Sequence, residues 1–463
     1  MKNIRIILFL IAAISLSSLA YSQDKVSFTL EEAIAYALEN NHEVRNTQTD
    51  IEIARKKIHE TTAIGLPQVN GKLTNTNYIN IPTTLLPDFI TPVIHQVNKE
   101  DFGLTPTNPL GDALFFPAQF GTKYNAAAEL SVAQLIFNGS YIVGLQAARA
   151  YLEQSQVQLI KSNIETREEV SKAYFLVLTT EQNKIVLDST LSSLKSMSSK
   201  TAEIYKQGFI EELDVDQLNL MVKDLEATLV YVNNQIIISR YYLKLLMGYD
   251  IDLDIQLTDS INNLLNDYSD ASLVTADFDL RNHIDYRIMQ NQIDLSSLAL
   301  KNEKATYLPV ISGFFTAQSN AMRNKYNFFS KSEQWFPTTV WGFQIDIPIF
   351  SSGSRSSKVQ QAKLNLQKVK VLDEQLQEGL SIEEKNTKTN FTNALLILDN
   401  KKTSLDLAKR IYQNTSMKFS EGISSNMELL QAYNQYLAAE SEHNNAILEL
   451  VNSKIALDKL FTK

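Results

Sequence analysis

The chain has no cysteine. That absence excludes disulfides, zinc–thiolate sites and a lipid-modified amino-terminal cysteine, so any attachment to a membrane has to be made by the fold. Beyond the amino terminus there is no uninterrupted apolar run of about 18 residues, which excludes a helical inner-membrane protein. Positive charge is in deficit: 43 Lys and Arg stand against 52 Asp and Glu, a formal net charge of −9, and no basic patch is interleaved with aromatics. Non-specific nucleic-acid binding is disfavoured accordingly. The five histidines, His42, His59, His95, His283 and His443, lie far apart without the paired spacing of a metal site. There is also no phosphate-binding glycine loop, nucleophile elbow or zincin motif. The expectation is a protein that is not an enzyme and holds no metal or cofactor.

What is present begins with a secretory signal. Lys2 and Arg5 precede an apolar run from Ile6 to Ile14, and Ala20-Tyr21-Ser22 offers a small-residue cleavage site, so the mature chain is expected to begin near Gln23. The run is too short for a membrane anchor, which takes roughly 20 residues. Loss of Lys2 and Arg5 leaves 41 basic residues against 52 acidic, a charge of −11.

One turn occurs twice, as Tyr205-Lys-Gln-Gly208-Phe209 with Asp214 and Gln217 following, and as Phe419-Ser-Glu-Gly422-Ile423 with Glu428 and Gln431 following. In both copies an aromatic stands three residues before the glycine, a carboxylate six after it and a glutamine nine after it. Asn41-His42 is echoed by Asn282-His283, Leu66-Pro67 by Leu308-Pro309, and Ile136-Phe137-Asn-Gly139 by Ile349-Phe350-Ser-Ser-Gly353. The offset falls from 241 or 242 residues to 213 or 214 along the chain, so the first half carries an insert of about 28 residues. The division expected is a signal over 1–22, a first repeat over 23–250, a connector over 251–276 and a second repeat over 277–463.

Within the first repeat, helical spacing runs from Phe28 to Ile64 with a break near Asn41, opened by Ser27 or Thr29 as cap and by Glu31 and Glu32 in the first turn. Leu66-Pro67 ends it. A strand is expected over Gln68 to Tyr78 and a second over Thr122 to Phe137. Between them, 79–121 holds six of the ten prolines and reads as a long loop. Two readings fit its apolar pieces Leu85-Leu86 and Leu114-Phe115-Phe116: a surface loop with its own small core, or a lid over a pore mouth.

In the second repeat the strands fall at Pro309 to Gln318 and Thr338 to Phe350. The last is the clearest, with Trp341, Phe343, Ile345, Ile347 and Ile349 alternating with Gly342, Gln344, Asp346 and Pro348. That alternation, with Trp335 and Trp341 among the aromatics gathered near one end, fits a lipid-facing strand with an interfacial belt of Trp335, Trp341 and Phe343. It also fits a strand half-buried in a soluble sandwich. Four strands are too few for a barrel, which needs about eight. A barrel would have to be assembled from several chains.

After each strand pair comes a proline-free helical stretch, Gly139 to Lys206 and Ser354 to Ser420, each about 100 Å long at 1.5 Å per residue. Phe391, Leu398, Leu405, Tyr412 and Phe419 step by seven, and on the first return helix Leu218, Leu225 and Val232 interleave with Val222, Leu229, Ile236 and Leu243. Sevenfold spacing is a coiled-coil seam. Gly139 and Gly353 stand where strand becomes helix, and alternation at Ile251, Leu253, Ile255 and Leu257 suggests a short strand in the connector. The fold class is mainly α with a small β part, four barrel strands and two long coiled-coil hairpins in an internally duplicated chain.

Asn40-Asn41-His42-Glu43-Val44, Pro348-Ile-Phe-Ser-Ser-Gly353-Ser-Arg355 and above all the two glycine turns, in this order and spacing, resemble the TolC-like outer-membrane efflux proteins over nearly all of the mature chain. The resemblance implies a homotrimer, twelve strands closing one β-barrel in outer-membrane lipid and the helices forming a tunnel through the periplasm. It implies a passive conduit for efflux or type I secretion. Tyr205, Gly208, Phe209, Phe419, Gly422 and Ile423 would meet a periplasmic adaptor, a membrane fusion protein working with an inner-membrane RND or ABC pump. Asp214, Gln217, Glu428 and Gln431 would line the periplasmic gate. Acidic residues are also favoured in the first turn of any helix, so the carboxylates have a second reading as helix-start residues. The chain departs from the pattern at three places: Leu135 stands where the second half has Pro348, Ser352 is one extra residue before Gly353, and Ser424 occupies a position where some relatives carry a gate arginine. The alternative is a periplasmic coiled-coil adaptor or scaffold without its own pore, which gives no reason for the alternating strand at Val340 to Phe350.

Overall fold

The computed structural model describes residues 26–87, 93, 96–97, 100–101 and 115–462. The expected signal over 1–22, His95 and much of 79–121, Leu114 included, lie outside the described residues. The first described elements are strand β1 (Val26–Phe28) and helix α1 (Leu30–Asn40). Thr29 starts α1 with a capping box: its hydroxyl accepts from the Glu32 N–H, and the Glu32 carboxylate accepts from the Thr29 N–H at 2.8 Å. The break falls where it is expected, since α2 (His42–Ile64) begins one residue after Asn41. Asn41 makes it. Its Oδ1 accepts from the N–H groups of Glu43 and Val44, and its Nδ2 donates to the Leu246 carbonyl at 2.6 Å.

The elements that follow are β2 (Gln68–Asn77), β3 (Thr83–Pro87), β4 (Phe115–Gln119), β5 (Tyr124–Phe137), α3 (Gly139–Lys206), α4 (Glu212–Met247) and β6 (Ile255–Leu257). After them come α5 (Ile261–Tyr268), two short 3₁₀ turns, α6 (Ile284–Ala305), β7 (Val310–Arg323), β8 (Phe336–Asp346), α7 (Ser354–Ser420) and α8 (Asn426–Phe461). Several bounds differ from expectation for local reasons. The 79–121 segment is not loop throughout, because β3 and β4 pair as a hairpin. β8 stops at Asp346, short of Pro348, which has no N–H to give a ladder. β7 runs on to Arg323 because its register with β5 continues to Tyr124. β1 is an unexpected strand that pairs in parallel with the connector strand β6.

Glycine at the two strand-to-helix junctions has two different causes. Gly353 has φ +81°, preceded by Ser352 at +49°, so the extra residue of this junction is itself left-handed. Gly139 is the first residue of α3, and a Cβ there would crowd the side chains of Leu308 and Ala305. Room, not dihedral freedom, is what it supplies.

The chain forms two compact units. One comprises Lys56–Arg149 and Ser297–Leu364 and contains a four-stranded antiparallel sheet in the order β2-β5-β7-β8, whose central pair joins a strand of each half of the chain. Gly342 leaves room for the Phe314 ring directly opposite it. Trp341 is 78% exposed and Phe343 and Ile345 on the same face are exposed as well. The other unit comprises the chain up to Arg55, Ala150–Ser296 and everything from Asn365 onward. Its core includes Tyr174, Phe175, Leu243 and Met247. All seven heptad residues named on α4 are buried, as are Phe391 and Tyr412 on α7. Tyr174 donates to the Phe28 carbonyl at 2.9 Å and to Asp259 Oδ2 at 3.0 Å, and Asp259 also accepts from the Leu30 N–H, so the connector is tied to the start of the chain. Among the described residues no helix is long and apolar enough to cross a membrane.

Candidate functional site

The two helical turns have one geometry. Gly208 has φ +84° and Gly422 φ +74°. At the first, the Gly208 N–H donates to Tyr205 O at 2.8 Å and the Phe209 N–H to Ile204 O at 3.4 Å; at the second, the Gly422 N–H donates to Phe419 O at 3.0 Å and the Ile423 N–H to Lys418 O at 2.9 Å. These paired bonds are the Schellman arrangement, which satisfies the last carbonyls of α3 and α7 and needs a left-handed residue at the glycine. The next residue is thrown outward each time: Phe209 is 78% exposed and Ile423 75%. Tyr205 is exposed as well, whereas Phe419 is half-buried.

Six residues past each glycine, Asp214 and Glu428 are both the third residue of their return helix, behind the caps Glu211 and Ser425. Their surroundings differ. Ser425 accepts from the Glu428 N–H, and the Glu428 carboxylate accepts from the Ser425 N–H and the Ser424 hydroxyl, a full capping box. The Ser424 hydroxyl, then the Ser425 N–H, hold the Glu428 carboxyl below its usual range. Glu211 makes no side-chain cap bond, and Asp214 is half-buried on the wall of a cleft. Gln217 is half-buried, and Gln431 is exposed.

Asn426, which no sequence motif singled out, joins the two turns. Its Nδ2 donates to the Asp214 carbonyl at 3.0 Å and to Gln217 Oε1 at 2.8 Å, while its buried Oδ1 has no partner. The first turns of α4 and α8 are thereby held side by side. The Ser425-Asn-Met-Glu428 spacing was the available signal for the cap; the cross-link has none.

The cleft has a volume of about 1520 Å³ and lies between the last turns of α3 and α7, with both glycine turns at one end. α3 lines it with Ser189, Ser193 and Ser196, and α7 with Tyr412. Tyr412 stacks on Tyr436 with ring centroids 5.4 Å apart, and its buried hydroxyl has no partner. Burial, with Tyr436 adding to it, pushes the Tyr412 phenol up to about 12. Glu440 on α8 is buried too, and desolvation raises its carboxyl against the opposing pull of Lys409. Of the aromatics expected in one belt, Trp341 and Phe343 share a face of β8, whereas Trp335 stands just before the strand, in the β7–β8 connection. There its indole N–H donates to Phe328 O at 3.3 Å, inside a cluster with Phe328, Tyr326 and Arg323.

Very long paired helices, glycine turns between them and a small sheet with apolar side chains facing outward define the channel-tunnel class of outer-membrane protein. The model of the outer membrane efflux protein family matches residues 33–249 and again 280–462, and the chain belongs to that family. It is 23% identical over 433 residues to the solvent efflux pump outer membrane protein SrpC of Pseudomonas putida, an alignment covering 91% of this chain and 83% of that protein. Its fold is similar to the Campylobacter jejuni outer membrane channel CmeC, with TM-score 0.68 and 18% identity over 93% of this chain and 85% of that one. It is similar also to the outer membrane protein VceC of Vibrio cholerae, with TM-score 0.66 and 13% identity over 93% of this chain and 95% of that one. The protein is an outer-membrane efflux channel-tunnel.

Proposed function

We propose that three copies of this chain close one twelve-stranded barrel and one helical tunnel, a passive conduit that takes its cargo from an inner-membrane pump through a periplasmic adaptor. The observation that carries the proposal is the sheet whose outer strands, β2 and β8, each leave one edge unpaired among the described residues. Lipid offers nothing to an unpaired strand edge, so the sheet has to be completed by neighbours. Native mass measurement of the protein extracted from outer membranes is expected to give a trimer. A monomer recovered in the soluble periplasmic fraction overturns the proposal. A scaffold without a pore would not account for the exposed apolar face of β8.

Residues 1–22 act as the export signal in this reading, and the 23–250 and 277–463 segments as repeats joined by 251–276. Trp341 and Phe343 face lipid, with Trp335 at the rim. Phe209 and Ile423, held outward by the turns with Tyr205, Gly208, Phe419 and Gly422, form the contact for the adaptor's helices. Asp214, Gln217, Glu428 and Gln431 constrict the tunnel at the same end. The cargo is a small molecule, a reading supported by relatives named for solvent and toluene efflux. Replacing Phe209 and Ile423 by aspartate, with both glycines kept, is expected to abolish cross-linking to the adaptor while the trimer persists. Unchanged cross-linking would assign the turns to chain reversal alone.

A further inference from the structure

Among the described residues the hairpin of β3 and β4 pairs with no other strand. Five residues a side give little independent stability, because a two-stranded hairpin is marginal in water unless something supports it. Its register sets Leu85 beside Pro117 and Pro87 beside Phe115, and a 3.3 Å hydrogen bond from Gln119 Nε2 to Thr83 Oγ1 lies on the same face. All six side chains of that face are exposed, Leu85 at 64%. A weak hairpin thus presents an apolar face that is exposed, with no pairing to another strand among the described residues.

Its attachment to the four-stranded sheet indicates what covers it. β3 continues from β2, an outer strand with a free edge. β2 ends at Asn77 opposite Tyr124, which lies opposite Arg323 at the end of β7, so the hairpin and the β7–β8 connection leave the sheet at the same end. Strand direction alternates across the sheet, so β2 and β8 run in opposite senses. The β8 strand of a second copy can therefore join the β2 edge with the antiparallel geometry of the rest. That joining brings the second copy's β7–β8 connection beside the start of β3. The connection carries Phe329, 93% exposed, and leads into the exposed Phe336.

We propose that the β3–β4 hairpin is a clasp between copies of this chain, its face of Leu85, Pro87, Phe115 and Pro117 packing on Phe329 and Phe336 of the next copy. The inference rests on the reading that copies join β2 to β8, and it adds an apolar contact that the barrel ladder does not supply.

The absence of cysteine lets introduced pairs report without background. The full chain carrying Leu85→Cys with Phe329→Cys is oxidised in outer-membrane vesicles, beside seam controls that combine Leu73→Cys on β2 in turn with Thr338→Cys, Thr339→Cys and Val340→Cys on β8. The clasp pair and at least one seam pair are expected to move the monomer band to a covalently linked trimer. Leu85→Cys alone is expected to react with a membrane-impermeant maleimide slowly in the assembled protein and quickly after heat dissociation. A seam pair that links while the clasp pair does not, with Leu85→Cys labelled equally fast before and after dissociation, overturns the clasp and leaves the barrel standing. Failure of every pair overturns both.

Discussion

At the scale of the residue, the firmest consequences come from groups placed where no substitute fits. Gly248 ends α4 with φ +68°, and a Cβ there would run into the carbonyl oxygen of Asn40. Gly248→Ala is therefore expected to cost about 2 kcal/mol or more, read as a lowered thermal midpoint. Asn41→Ala is expected to be non-additive with it, since Asn41 bonds the last turn of the same helix. His283 gives a pH dependence. Its Nδ1 accepts from the Asp285 N–H at 3.3 Å, its Nε2 is buried without a partner, and Phe278 lies against the ring. Burial depresses its pKa, and Lys459 and Lys161 push the same way against Asp285 and Glu383. The unfolded imidazole, with a pKa of about 6.5, then takes up a proton before the folded one does. The stabilisation is whole above that value and is lost as pH falls toward the depressed native pKa. His443, depressed by burial and Lys402 against Asp406, acts with the same sign. Denaturation midpoints at pH 7.5 and 5.5 should draw closer together in His283→Gln; an unchanged gap would rule the imidazole out as a source.

At the scale of the element, the return helices are capped unequally. α8 has the Ser425–Glu428 box and α4 has Glu211 with no side-chain bond. Ser425→Ala is expected to destabilise by about 1 kcal/mol, and Glu211→Ser to stabilise by roughly 0.5–1 kcal/mol, since only one of the two caps has a hydroxyl to lose. Thermal scans of both variants decide it, and an unchanged midpoint in Ser425→Ala, or a lowered one in Glu211→Ser, would contradict the assignment. The unequal caps also divide the two carboxylates, Asp214 and Glu428. Position six after each glycine is the third residue of a helix, where the dipole favours negative charge in any protein, so the shared interval has a local cause that owes nothing to a pore.

At the scale of the whole molecule, three copies would set Asp214 around one axis. Asp214→Asn is expected to reduce the cation preference of single channels in planar bilayers by more than Glu428→Gln does, because the Glu428 carboxylate is already engaged by Ser424 and Ser425. Equal effects at the two positions would show that the box opens in the assembled gate. Loss of thermal stability in Asp214→Asn with unchanged selectivity would make it a helix-start residue and move the constriction elsewhere.

Periodicity made the long elements legible. Proline-free helical spacing placed α3 at Gly139–Lys206 and α7 at Ser354–Ser420 to the residue, because each stretch runs about 67 positions between a strand-to-helix glycine and a glycine turn. The clearest strand was legible from its alternation, though its end was not, since Pro348 reads as part of the pattern and acts as its limit. Short pairings left little trace in composition. β1 is three residues whose partner β6 lies more than two hundred positions on, and β3 and β4 sit in a proline-rich stretch that reads as loop. The site divides in the same way. Gly208 and Gly422 announce themselves because only a left-handed residue closes both Schellman bonds, so the turns belong to the amino-acid sequence. The separation of Asp214 on a cleft wall from Glu428 in its cap, and the Asn426 bond between the two turns, depend on which helices lie side by side, and that is a property of packing at a distance that local spacing does not encode.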